Sequence, residues 1–121
     1  MKKRIMLVED EPSHRKLYSS WLKIGGYDPR VIDDERGALD AAATIAPDAI
    51  IVDIRLPNVS GLDVIETLKG APATRAIPVM ALTVLQSQHD MDACYAAGAD
   101  AFVSKPDHIA SFLDKVSDLL R

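Results

Sequence analysis

The chain has 121 residues, and its 14 Lys and Arg against 18 Asp and Glu give a formal charge of −4. This length suits one domain, spanning 1–121, because domains commonly run about 100–150 residues. With 48% hydrophobic and 26% charged residues the chain can bury a core, which excludes a disordered polymer, and the acidic balance with scattered basic residues excludes direct nucleic-acid binding.

Lys2-Lys3-Arg4 is the only basic run and reads as a solvated edge. Ile5 to Val8 follows without polar alternation, as in a strand buried on both faces. It ends at Glu9-Asp10-Glu11, too soon for a signal-peptide core, and no segment is apolar for long enough to span a membrane. Pro12 opens a first helix in which Leu17, Trp21 and Ile24 recur at helical spacing until Gly25-Gly26. Val31-Ile32 marks a weaker strand, and Asp34 caps a helix carrying Leu39, Ala42 and Ile45 that stops before Pro47. Ala49 to Val52 is the next buried strand. Ser60, with Asp63 three residues on, resembles a capping box for a helix with Leu62, Ile65 and Leu68, stopped by Gly70. Val79 to Leu82 is a further strand. An alanine-rich helix over Ser87 to Ala97 ends at Gly98 and contains the single cysteine, Cys94. Cys94 has no disulfide partner and no metal-spaced neighbour; it reads as a small apolar helix residue and fits a reducing cytoplasm. Ala101 to Val103 is the last strand, and Ile109, Phe112, Leu113, Val116, Leu119 and Leu120 form the apolar stripe of a final helix.

Strands alternating with helices over the whole length imply βαβ units and an α/β fold, with a parallel sheet covered by helices on both sides. Ligands in such folds bind beyond the carboxyl ends of the strands. Those ends carry Glu9-Asp10-Glu11, Asp53, Thr83 and Ser104-Lys105-Pro106. Brought to one edge, three carboxylates repel one another unless a cation or a proton intervenes. An all-oxygen set without Cys or His favours Mg²⁺ over Ca²⁺. A carboxylate beside Mg²⁺ can also attack a phosphoryl group, with a lysine and a hydroxyl stabilising the oxygens, and Asp53, Lys105 and Thr83 have that chemistry. Each also fits a plain role when read singly: a turn former, a surface charge, a helix cap, or an acidic helix N-terminus. Their recurrence at separate strand ends favours the site.

In this set the chain resembles the receiver domains of two-component response regulators, of the stand-alone type. The resemblance rests on Val8-Glu9-Asp10-Glu11, Asp53-Ile54-Arg55-Leu56-Pro57 with Gly61 eight residues after the aspartate, Thr83, and Lys105-Pro106. It implies a three-layer, doubly wound, flavodoxin-like sandwich: a five-stranded parallel sheet in order 2-1-3-4-5 with five helices. It implies that Asp53 accepts a phosphoryl group from phosphohistidine on a sensor histidine kinase or a histidine phosphotransfer protein. It also implies that Mg²⁺ is held by Asp10, Asp53 and the backbone carbonyl of Arg55, with Glu9 acting through water. Thr83 and Lys105 would bind phosphoryl oxygens, Pro106 would follow a cis bond, and Phe102 would be the aromatic switch. A downstream protein would dock on the face of the fourth helix, fifth strand and fifth helix.

Two departures from the family pattern matter. Val84 stands where the residue after the threonine is usually small, narrowing access to the acceptor. Arg55 and Leu85 occupy the variable positions that tune dephosphorylation. The leading reading is therefore a phosphorylation-dependent signalling switch and not an enzyme acting on external substrates. Two alternatives remain: a receiver-like scaffold that binds partners without phosphorylation, and a Mg²⁺-dependent phosphatase. The phosphatase is disfavoured because Arg55 stands where such enzymes place an acid.

Overall fold

The computed structural model describes residues 2–56, 60–84, 87–105 and 108–121. In chain order the elements are β1 (Arg4–Val8), α1 (Pro12–Ile24), β2 (Asp28–Ile32), a 3₁₀ turn (Glu35–Gly37), α2 (Ala38–Ile45), β3 (Ala49–Asp53), α3 (Gly61–Gly70), β4 (Val79–Thr83), α4 (Gln88–Ala97), β5 (Ala101–Ser104) and α5 (Ile109–Leu119). All strand pairings are parallel, in the order β2-β1-β3-β4-β5. This is the expected α/β fold with the expected strand order.

Successive strand residues face opposite sides, so each buried strand feeds two cores. Met6, Val8, Ile50, Val52, Val79 and Ala81 pack on one side with residues of α2, α3 and α4. Ile5, Leu7, Ala49, Ile51, Met80, Leu82 and Val103 pack on the other with Tyr18 and Leu22 of α1 and Phe112 and Val116 of α5. The polar segment Asp28-Pro29-Arg30 completes β2 as an edge strand, where a proline is tolerated.

Three local readings are corrected. The buried face of α1 is Tyr18 and Leu22, with Trp21 alongside; Leu17 and Ile24 lie on its outer side, Ile24 at 71% exposure. Asp34 caps the 3₁₀ turn that leads into α2, accepting the Arg36 N–H at 3.0 Å, and does not cap α2 itself. Ser60 does cap α3, but through the Leu62 N–H at 3.2 Å and not through the residue three positions on. Helix α2 ends as expected before Pro47, with Ala46 in the left-handed region at φ 51°. Cys94 is buried in α4, and burial pushes its thiol pKa up, which suits an inert packing residue.

Candidate functional site

Each of β1, β3 and β4 ends on a buried polar residue or leads directly into one. Glu9 follows β1, while Asp53 and Thr83 are the last residues of β3 and β4. The parallel register aligns these ends, pairing Asp53 with Leu82 and Thr83 with Ser104. Lys105 follows β5, and its backbone N–H donates to the Thr83 carbonyl at 2.6 Å.

The Lys105 ammonium is the hub of the site. It is 5% exposed and donates to Glu9 Oε2 at 2.6 Å and to Asp53 Oδ2 at 3.2 Å. Asp53 Oδ1 accepts the Arg55 N–H at 3.0 Å, and Glu9 Oε1 accepts the Glu11 N–H at 3.2 Å. Carboxylate oxygens of Glu9, Asp10 and Asp53 lie within 4.8 Å of one another, an all-oxygen donor set that fits a hard divalent cation. Burial, and then the hydrogen bond to Asp53, push the Glu9 pKa up from 4.5 to about 7 against the opposing pull of Lys105.

The surrounding residues hold this geometry. Glu11 caps α1, accepting the Ser13 N–H at 3.3 Å and its hydroxyl at 2.9 Å, and this bonding lowers its carboxyl pKa. Arg15 donates to the carbonyls of Asp10 at 2.7 Å and Glu9 at 3.4 Å, clamping the acidic loop to α1. Gly61 donates its N–H to Ile54 at 3.0 Å, and a Cβ there would collide with the Asp53 carbonyl oxygen and the Ile54 Cα. Only glycine lets α3 begin this close beneath the end of β3.

The site opens into a cleft of about 290 Å³ lined by Asp10, Glu11, His14, Asp53, Arg55, Val84 and Lys105. Val84 stands on its rim at 44% exposure. Thr83 is buried at the end of β4, and Phe102 is half-buried in β5, packed against the core under α2, α3 and α4. The structure thus brings Glu9, Asp10, Asp53 and Lys105 together, with Arg55 and Val84 at the mouth. Pro57, Leu85 and Pro106 lie outside the described residues.

Sequence reasoning missed His14 and Arg15. His14 Nδ1 is 3.1 Å from Lys105 Nζ and 4.0 Å from Glu9 Oε1. The signal was helical spacing within α1: Tyr18 lies four residues beyond His14, so the two share one face of the helix.

The response regulator receiver domain model matches residues 5–117. The polar-differentiation response regulator DivK of Brucella anthropi is 35% identical over 120 residues, covering 99% of this chain and 98% of that protein. Among solved structures, the chemotaxis protein CheY4 of Vibrio cholerae superposes with a TM-score of 0.93 at 25% identity, covering 99% of this chain and all of that one. The receiver domain of a sensor histidine kinase from Pseudomonas aeruginosa, described with a magnesium ion coordinated in its active site cleft, gives a TM-score of 0.91 at 28% identity, covering 99% of this chain and 98% of that one. The match across nearly the whole chain, together with the fold and the acidic edge of the sheet, makes this chain a member of the response regulator receiver domain family.

Proposed function

We propose that Asp53 is the phosphoacceptor of a phosphorylation-dependent signalling switch, taking its phosphoryl group from phosphohistidine on a sensor histidine kinase or a histidine phosphotransfer protein. The observation that carries this reading is the pairing of the Asp53 carboxylate with the buried Lys105 ammonium beside Glu9 and Asp10, at the floor of an open cleft. A carboxylate oxygen of Asp53 attacks phosphorus, an O–P bond forms, and the donor's P–N bond breaks with the electron pair leaving on the imidazole. As a carboxylate, Asp53 gives up no proton in this step.

Glu9, Asp10, Asp53 and the Arg55 carbonyl would hold Mg²⁺, whose charge neutralises the phosphoryl oxygens when bound. Lys105 presents a point charge to one of those oxygens and Thr83 a hydroxyl to another. The reaction is self-catalysed and ends on the protein, with slow autodephosphorylation returning the carboxylate. Movement of Thr83 and a turn of Phe102 would carry the signal outward. Phe102 lines a groove of about 250 Å³ with Tyr95, Lys115, Asp118 and Leu119, between α4, β5 and α5, and this is the surface proposed for a downstream protein. The domain spans 1–121.

Intact-mass measurement after incubation with Mg²⁺ and acetyl phosphate tests the reading. One added phosphoryl group on the wild type, absent from Asp53→Asn, is expected; an unmodified wild type across several phosphodonors would overturn it.

A further inference from the structure

His14 is a polar side chain of this site that the phosphoacceptor chemistry leaves unused. The buried Lys105 ammonium has three N–H donors, and three acceptors surround it: Glu9 Oε2 at 2.6 Å, His14 Nδ1 at 3.1 Å and Asp53 Oδ2 at 3.2 Å. An ammonium only donates, so Nδ1 must offer its lone pair and the ring proton must sit on Nε2. The ring stands edge-on to the buried Tyr18, centroids 6.2 Å apart, and the Tyr18 ring in turn lies 5.8 Å beneath Lys105 Nζ.

A lysine is a point charge on a flexible stem, so its aim depends on how many acceptors hold it. Glu9, fully buried, offers the shortest of the three contacts, whereas His14 holds the ammonium from the cleft that His14 and Lys105 both line. We propose that His14 is a positioning residue that acts through Lys105, holding the ammonium toward the cleft so that phosphorylation of Asp53 exchanges one of its three hydrogen bonds and leaves two in place. The ammonium keeps its three protons throughout. With acetyl phosphate as donor, the Asp53–phosphoryl bond forms and the bond from phosphorus to the acetate oxygen breaks, acetate leaving with the electron pair. The effect on phosphotransfer rests on the receiver reading, whereas the His14–Lys105 contact does not.

Two measurements test this. In ¹⁵N-edited imidazole spectra at pH 8.5, the wild type should show the Nε2–H tautomer with Nδ1 shifted as a hydrogen-bond acceptor, and this shift should disappear in Lys105→Met. An Nδ1–H tautomer, or a shift indifferent to Lys105, would overturn the contact even if no phosphorylation occurs. In the acetyl phosphate reaction with Mg²⁺, His14→Leu keeps the bulk but loses the acceptor and should slow phosphorylation by about fivefold, as expected for one partly solvated bond to a charged group. His14→Asn, whose Oδ1 takes the place of Nδ1, should recover most of the rate. Equal rates for the Leu and Asn variants would overturn the positioning role. A wild type that accepts no phosphoryl group at all would instead overturn the phosphoacceptor reading, leaving the spectra to judge the contact.

Discussion

Lys105 is held more closely by Glu9 than by Asp53: its Nζ is 2.6 Å from Glu9 Oε2 and 3.2 Å from Asp53 Oδ2, across a separation of 96 residues from Glu9 in the chain. All three residues are buried. The lysine is thus poised between the acidic pair and the cleft, and the charge at the strand ends is already partly compensated by a protein cation.

Stability of the chelator-treated protein should fall as pH rises. The folded-state pKa of Glu9 is raised from 4.5 to about 7, chiefly by burial, so its contribution is fully present below the unfolded value and is lost as pH rises through about 7. The lowered carboxyl pKa values of Glu11, Asp28 and Asp34, each set chiefly by a side-chain hydrogen bond, act with the opposite sign and only at more acid pH. Urea midpoints measured with chelator should therefore decline from about pH 5 to about pH 8, and Glu9→Gln should flatten the decline. A midpoint that climbs over this interval would contradict the assignment.

Gly61→Ala should cost about 2 kcal/mol, the usual penalty for forcing an added carbon into packed structure. The new Cβ would strike the Asp53 carbonyl oxygen and the Ile54 Cα, backbone atoms that cannot rotate aside. Denaturant unfolding at neutral pH measures this, and a wild-type midpoint would show that α3 can start further from β3.

Val84→Ala should speed phosphorylation by a histidine phosphotransfer protein more than by acetyl phosphate. Val84 stands on the cleft rim, where its branched side chain meets a bulky donor before a small one. Initial rates with both donors provide the check, and unchanged ratios would remove Val84 as an access element.

Arg55→Ala should shorten the life of the phosphorylated form several-fold. The Arg55 side chain is exposed and lines the cleft with Asp53, where it would screen a phosphorylated Asp53 from incoming water. Decay followed by intact mass after donor removal measures this, and equal decay of variant and wild type would contradict it.

The buried strands and the site were legible in the sequence for one reason: both depend on side chains that must sit at strand ends or on strand faces. Ile5 to Val8, Ala49 to Val52 and Val79 to Leu82 have no polar interruption because both sides of the sheet are covered. Edge position hid the first half of β2, since Asp28-Pro29-Arg30 needs no apolar pattern when only one neighbour pairs with it. On α1 the apolar residues alone misplaced the buried face, because Tyr18 carries more contact area than Leu17 and turns the helix toward Phe112, with ring centroids 5.2 Å apart. His14 and Arg15 escaped notice because their roles are contacts that no local pattern marks: His14 meets Lys105 across 91 residues of chain, and Arg15 reaches back to backbone carbonyls.

Chemical trapping locates the phosphoryl group most directly. After reaction with acetyl phosphate and Mg²⁺, borohydride reduces an aspartyl phosphate to homoserine, and fragment masses then read which position carries it. Homoserine at position 53 and at no other carboxylate is expected, whereas homoserine at Asp10, or none at any position in a reacted sample, would contradict the assignment of Asp53 as the acceptor.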